Sequence, residues 1–165
     1  MPAPEREMST YDWLVMLHVT GAFLFLGGGA AAGILNARAW YAERPSEVAL
    51  LLRLIARVAV PVLGIGSITS LVLGIWLVHH AGYSYGTFWV WAAIVLWVVA
   101  GALGARGGRY QTKAGEEAAR LAGAGDTMTA ELRALVRDPL GNALSYGSGL
   151  TLLLILILMV WKPGQ

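Results

Sequence analysis

The chain has 165 residues, of which 57% are hydrophobic and only 13% charged, with a net charge of +2. An ordinary soluble domain carries roughly 25% charged residues, so a solvated surface of normal composition is excluded and a single membrane-embedded domain is expected. The absence of cysteine removes disulfides, thiolate metal sites and iron–sulfur clusters held by this chain.

The N-terminal flank carries Glu5, Glu7 and Asp12 against Arg6. A secretory signal wants a basic flank and a shorter apolar core, so the first apolar segment reads as a retained span. Ser9 and Asp12 have the spacing of a capping box. Tyr11 and Trp13 stand where an interfacial aromatic belt would lie. No charge then occurs before Arg38, and the first span covers about residues 13–35. It contains His18 and the run Gly27-Gly28-Gly29.

Ser46 is the expected cap of the next helix, whose first turns carry Arg53 and Arg57 on an amphipathic pattern at the membrane surface. Pro61 falls inside the helical pattern and is expected to kink it. From Val58 to Ala105 there is no charged residue. That is too long for one crossing, and the polar stretch from His79 to Gly86 marks the turn. The second span is then about 58–78 and the third about 88–104, capped by Thr87. Residues 106–138 form a polar helical loop, divided at Gly123-Ala124-Gly125-Asp126. Met128, Leu132, Leu135 and Val136 give its second piece an apolar face for the membrane or the bundle. Asp138-Pro139 reads as a cap with proline at the first helical position. The fourth span, about 140–161, stops at Lys162-Pro163-Gly164.

The fold class expected is therefore all-α, an integral membrane four-helix bundle. Four Lys/Arg lie between Arg38 and Arg57 and six between Arg106 and Arg137, ten of the twelve in the chain. The positive-inside rule places these loops in the cytoplasm and both termini on the outer side. It also accounts for the pI of about 9.2 with no nucleic acid as partner.

Each span has small residues four apart: Gly29 and Gly33; Gly66, Ser70 and Gly74; Ala100 and Gly104; Gly141, Ser145 and Gly149. Such residues allow close helix approach in lipid. They suit packing within one bundle, or the face of a homodimer or a larger membrane complex.

His18 is the one ionisable side chain well inside a span. It shares a face with Gly21, Ala22, Phe25, Gly28, Gly29 and Ala32, which should turn inward. An imidazole in hydrocarbon is costly unless paired or functional. Two readings stay open: a histidine bonded to Ser148 or to a backbone carbonyl of another helix, or a cofactor ligand or proton relay. His79 and His80 are a weaker pair, either an ordinary interfacial turn or an outward contact to a metal or a haem edge. Being adjacent, they point about 100° apart on a helix. Arg57 lies 22 residues before His79, about 33 Å along a helix, too far to pair with the propionates of a haem held by His18.

The segments WLVMLHVTGAFLFLGG, RLIARVAVPVLGIGSITSLVLGIWL and LMVWKPG resemble a bacterial family of predicted four-helix integral membrane proteins, domain of unknown function 2269. More distantly, the first-span histidine with its glycines, the Arg…Pro…Gly second span and the Lys-Pro end are similar to the HemJ-type protoporphyrinogen oxidases and the membrane domain of CopD copper-resistance proteins. The resemblance implies a multi-pass protein of the bacterial inner membrane, with His18 at the place of a haem-binding histidine. It therefore names b-type haem, or less directly copper, as cofactor. Oxidase activity is not implied, because the YLPR-like segment that follows the glycine in that family is absent here. The alternatives are an accessory subunit that binds nothing and a small transporter or channel.

Overall fold

The computed structural model describes residues 8–163. Its elements are α1 (Thr10–Trp40), α2 (Pro45–Leu54), a π-helical turn (Ile55–Ala59), α3 (Val60–His80), α4 (Phe88–Ala122), α5 (Ala130–Val136) and α6 (Pro139–Trp161). The described residues contain no strand. Four helical stretches are long and apolar enough to cross a membrane: Thr10–Trp40, Pro45–His80, Phe88–Ala122 and Ala130–Trp161. The expected all-α four-span architecture is therefore present. Gly164, expected in the final stop, and the flanking charges Glu5, Arg6 and Glu7 lie outside the described residues.

Local chemistry explains most of the boundaries. Ser9 and Asp12 form the capping box at the start of α1. At α6, the Asp138 carboxylate accepts from the Gly141 amide at 2.7 Å, with Pro139 at the first helical position. Lys162 closes the same helix in the left-handed conformation, φ 44°, since Pro163 disfavours the helical conformation in the residue before it. Thr87 does stand at the N-cap of α4, but its side chain makes no capping bond.

Other local features differ from expectation or add to it. Ser46 is not a cap: Arg44 holds that position and Pro45 opens the helix. Ser46 instead donates from its amide and its hydroxyl to the Asp126 carboxylate, both at 2.7 Å. Pro61 stands two residues beyond a π turn, in which the Val60 amide reaches back to the Ile55 carbonyl. The wider turn re-phases the rod where proline withholds an amide. Finally, the helix of the third span does not end near residue 104. It runs on to Ala122, so the first half of the polar loop is a continuation of α4.

The helices associate as two antiparallel pairs, α1 with α3 and α4 with α6, and α2 rests on α4. The α1–α3 seam has one register throughout. Tyr11 stacks on His80, His18 lies against Gly74, Gly21 against Ser70, Phe25 against Gly66 and Gly28 against Leu63. On α1 these positions fall seven, three, four and three residues apart, the spacing of a helix–helix seam. The approach is backbone to backbone: a Cβ on Gly66 would stand 2.3 Å from the Phe25 nitrogen, and one on Gly28 2.6 Å from that of Leu63. In the second seam, Gly107 faces Ser145, Gly104 faces Ser148 and Gly141 faces Tyr110.

The expected small-residue sets are thus right for α3 and α4 and partly wrong elsewhere. Gly33 and Gly149 face open space. Gly29 meets Leu152 of α6, and α1 packs on α3 through Gly21 and Gly28 instead.

Packing changes character along the bundle. Within the spans, small residues bring backbones together. At the end that carries the basic loops, a conventional apolar core forms from residues including Ala39, Val48, Leu52, Ala118 and Leu132, and the bulkiest fully buried side chains are Leu132, Val48 and Pro45. Water drives apolar burial there, whereas lipid tails give no such drive inside the bilayer. Met128, Leu135 and Val136 pack on this core, so the apolar face of α5 lies on the bundle.

Candidate functional site

His18 sits on the third turn of α1, half-buried. Its Nδ1 is 2.9 Å from the Ser70 carbonyl of α3. A carbonyl only accepts, so Nδ1 carries the proton and donates. Nε2 is left with its lone pair. The ring fits because position 74 is glycine: a Cβ there would stand 3.0 Å from Cε1. Of the two expected partners, the structure selects the backbone carbonyl. Ser148 belongs to the other helix pair, where its hydroxyl donates to the Ala100 carbonyl at 2.9 Å.

His79 and His80 close α3 and are exposed. His80 stacks on Tyr11 with ring centroids 6.1 Å apart. His79 is five residues beyond Gly74, about 7 Å further along the helix axis. The histidines expected as candidates are therefore not brought to one point. Among the described residues, no three His, Cys, Asp or Glu side chains are grouped as a metal site would need.

A haem tests this geometry severely. His18 is clamped in a seam where backbones touch, with its ring against Gly74. The seam would have to open to admit a porphyrin, and no second histidine stands opposite. The residues present do not fit a haem held within one chain.

A second polar centre lies at the basic end and was not anticipated. Asn36 of α1 donates through Nδ2 to Asn142 Oδ1 of α6 at 3.0 Å, and its Oδ1 accepts from Gln111 Nε2 of α4 at 3.2 Å. Asn142 in turn donates to the Val136 and Asp138 carbonyls. Asn36 is buried, and these side chains line a small cleft with Tyr110 and Ser145. Two asparagines at the ends of apolar segments were the sequence signal, since amides near lipid need partners.

At the same end, the Asp126 carboxylate is held below its ordinary range, first by the Ser46 hydroxyl, then by the Ser46 amide, with Arg44 adding a smaller attraction. Asp126 itself has φ 54°, a left-handed conformation that aspartate tolerates better than most residues. The pairing staples the α4–α5 turn to the start of α2.

A family model described as a predicted integral membrane protein, DUF2269, matches residues 12–163. Among curated proteins and solved structures, nothing matches. The match covers nearly the whole chain, all four spans and both polar centres included: the chain belongs to the DUF2269 family of predicted integral membrane proteins.

Proposed function

We propose that the protein is a non-catalytic helical subunit of the bacterial inner membrane, with both termini outside and the basic loops in the cytoplasm. The observation that carries this is the use made of its intramembrane histidine. His18 donates to the Ser70 carbonyl and fills the gap left by Gly74, so the ring acts as a lock between α1 and α3. Other polar side chains also tie helices together. Trp97 Nε1 donates to Ser67 Oγ at 2.7 Å and ties α4 to α3. Asn36, Gln111 and Asn142 tie α1, α4 and α6. A route for solute would need such groups to line a path, so the transporter or channel reading is the least supported. Large exposed apolar side chains such as Phe23, Ile68 and Leu150 face the lipid or a partner complex.

One observation favours a second reading. With Nδ1 donating to a carbonyl, Nε2 is fixed as the acceptor, which is how many metal-ligating histidines are held. A copper ion taking that single nitrogen, with other donors supplied from outside the chain, is compatible with it. Haem and metal analysis of detergent-purified protein, expressed with ample haem and copper, decides between the two. The packing role predicts a colourless, metal-free preparation. A Soret band or stoichiometric copper that vanishes in His18→Ala would overturn it.

A further inference from the structure

A cleft of about 200 Å³ opens on the outside of the α1–α3 pair, in the half of the bundle nearer the basic loops. Its α1 side is built from Gly27, Gly28 and Ala31, and its other side from Leu54, Val58 and Val62. The lining is wholly apolar. Two sequence features create it. Gly27 offers no side chain toward a space in which a Cβ would meet nothing within 4 Å. The π turn at Ile55–Ala59 re-phases the facing wall at the same level.

Two cations neighbour the cleft in sequence. Arg53 and Arg57 directly precede the lining residues Leu54 and Val58, and both are exposed. Neither has an acidic partner among the described residues. Arg38 follows on the α1 side, about one turn beyond Leu35 and two beyond Ala31, paired with Glu47 at 3.1 Å. An apolar slot in the bilayer with guanidinium groups at the headgroup level is complementary to one kind of molecule. We propose that this cleft holds an acyl chain of an anionic phospholipid, whose phosphate is received by Arg57 and Arg53.

A second copy of the chain is the competing occupant, and charge argues against it. A two-fold axis along the membrane normal brings identical residues together at one depth, setting Arg57 and Arg53 against their own copies. The cleft also spans only about 12 Å, from Leu54 to Val62, short for a helix seam but matched to part of one acyl chain. The phosphate accounts for both cations, since guanidinium binds it in a forked geometry.

The test uses full-length protein in mild detergent, offered dioleoyl phosphatidylglycerol and dioleoyl phosphatidylcholine and read by native mass spectrometry. Wild type should retain one phosphatidylglycerol with at least about fivefold preference, given the attraction of one arginine to an anionic headgroup. Gly27→Leu fills the slot from a position with open space and should lose the bound lipid while keeping its helical melting transition. Arg57→Gln should keep a lipid and lose the preference; it decides the matter if Gly27→Leu does not fold. Equal retention of the two lipids by wild type overturns the proposal. So does undiminished phosphatidylglycerol on Gly27→Leu, or a dimer that Gly27→Leu dissociates.

Discussion

Gly66 and Phe25 are in backbone contact: a single Cβ at position 66 would lie 2.3 Å from the Phe25 nitrogen. The α1–α3 seam closes on this pair, and His18 reaches the Ser70 carbonyl only because the seam is closed. Gly66→Ala must therefore push the helices apart. Overpacking of this kind costs about 1–3 kcal/mol, and the thermal or denaturant unfolding midpoint should fall accordingly. Gly33→Ala and Gly64→Ala, where a Cβ meets nothing within 4 Å, should leave the midpoint unchanged or raise it.

His18→Ala removes one interhelical hydrogen bond and the ring that fills the space at Gly74. Bonds between membrane helices average about 0.6 kcal/mol, and the lost packing adds to this. A modest drop in stability is expected, well short of unfolding. Gly74→Ala should be comparable, because it displaces the same ring from the other side. The double variant should lose less than the sum, since both act on one contact; strict additivity in an unfolding cycle would show that the two residues are independent.

The amide centre at the basic end should be costlier to break. Asn36→Ala strands the Asn142 carbonyl oxygen and a Gln111 amide hydrogen. Leaving buried polar groups unpaired costs about 1–3 kcal/mol. Because Asn36 joins three helices, the loss should appear as faster hydrogen exchange in α4 and α6 as well as in α1. Exchange confined to α1 would show that the centre does not couple them.

The Asp126–Ser46 staple carries a pH dependence of known sign. The folded-state carboxyl is held below its ordinary value, so the unfolded chain binds the proton more readily. The contribution is complete above the ordinary carboxylate range and is lost as pH falls through the lower folded-state value. Protection of the Ser46 amide, taken relative to its intrinsic exchange rate at each pH, should be high at neutral pH and fall on acidification. Asp126→Asn keeps an acceptor and tolerates the left-handed backbone, and it should remove the acid-dependent step.

Much of this was legible along the chain, for identifiable reasons. Spans, the turn after His79, the Ser9–Asp12 box and the Asp138-Pro139 start are local, and hydropathy and capping chemistry specify them. Pro45 was also a readable signal, because proline favours the first helical turn, and it places the cap at Arg44. What sequence left open depends on which helix lies beside which. The glycine run at 27–29 points to three directions: Gly28 to Leu63, Gly29 to Leu152 and Gly27 to open space. Spacing alone cannot choose among them. Likewise Ser148 and a backbone carbonyl of another helix are both open as partners of His18 until α1 pairs with α3. The continuation of α4 past Gly104, Gly107 and Gly108 runs against helix propensity. Those at 104 and 107 meet Ser148 and Ser145 on α6, so tertiary packing overrides the local preference.

The most direct test of the account is the protonation pattern of His18. The chain has three histidines, so a nitrogen NMR spectrum of histidine-labelled protein in lipid bilayers is readily assigned with His18→Ala as reference. The lock to Ser70 predicts a proton on Nδ1 and a bare Nε2, with both signals unchanged when haemin or copper is added. A proton on Nε2 would contradict the hydrogen bond, and an Nε2 signal shifted or broadened by either addition would contradict the packing role.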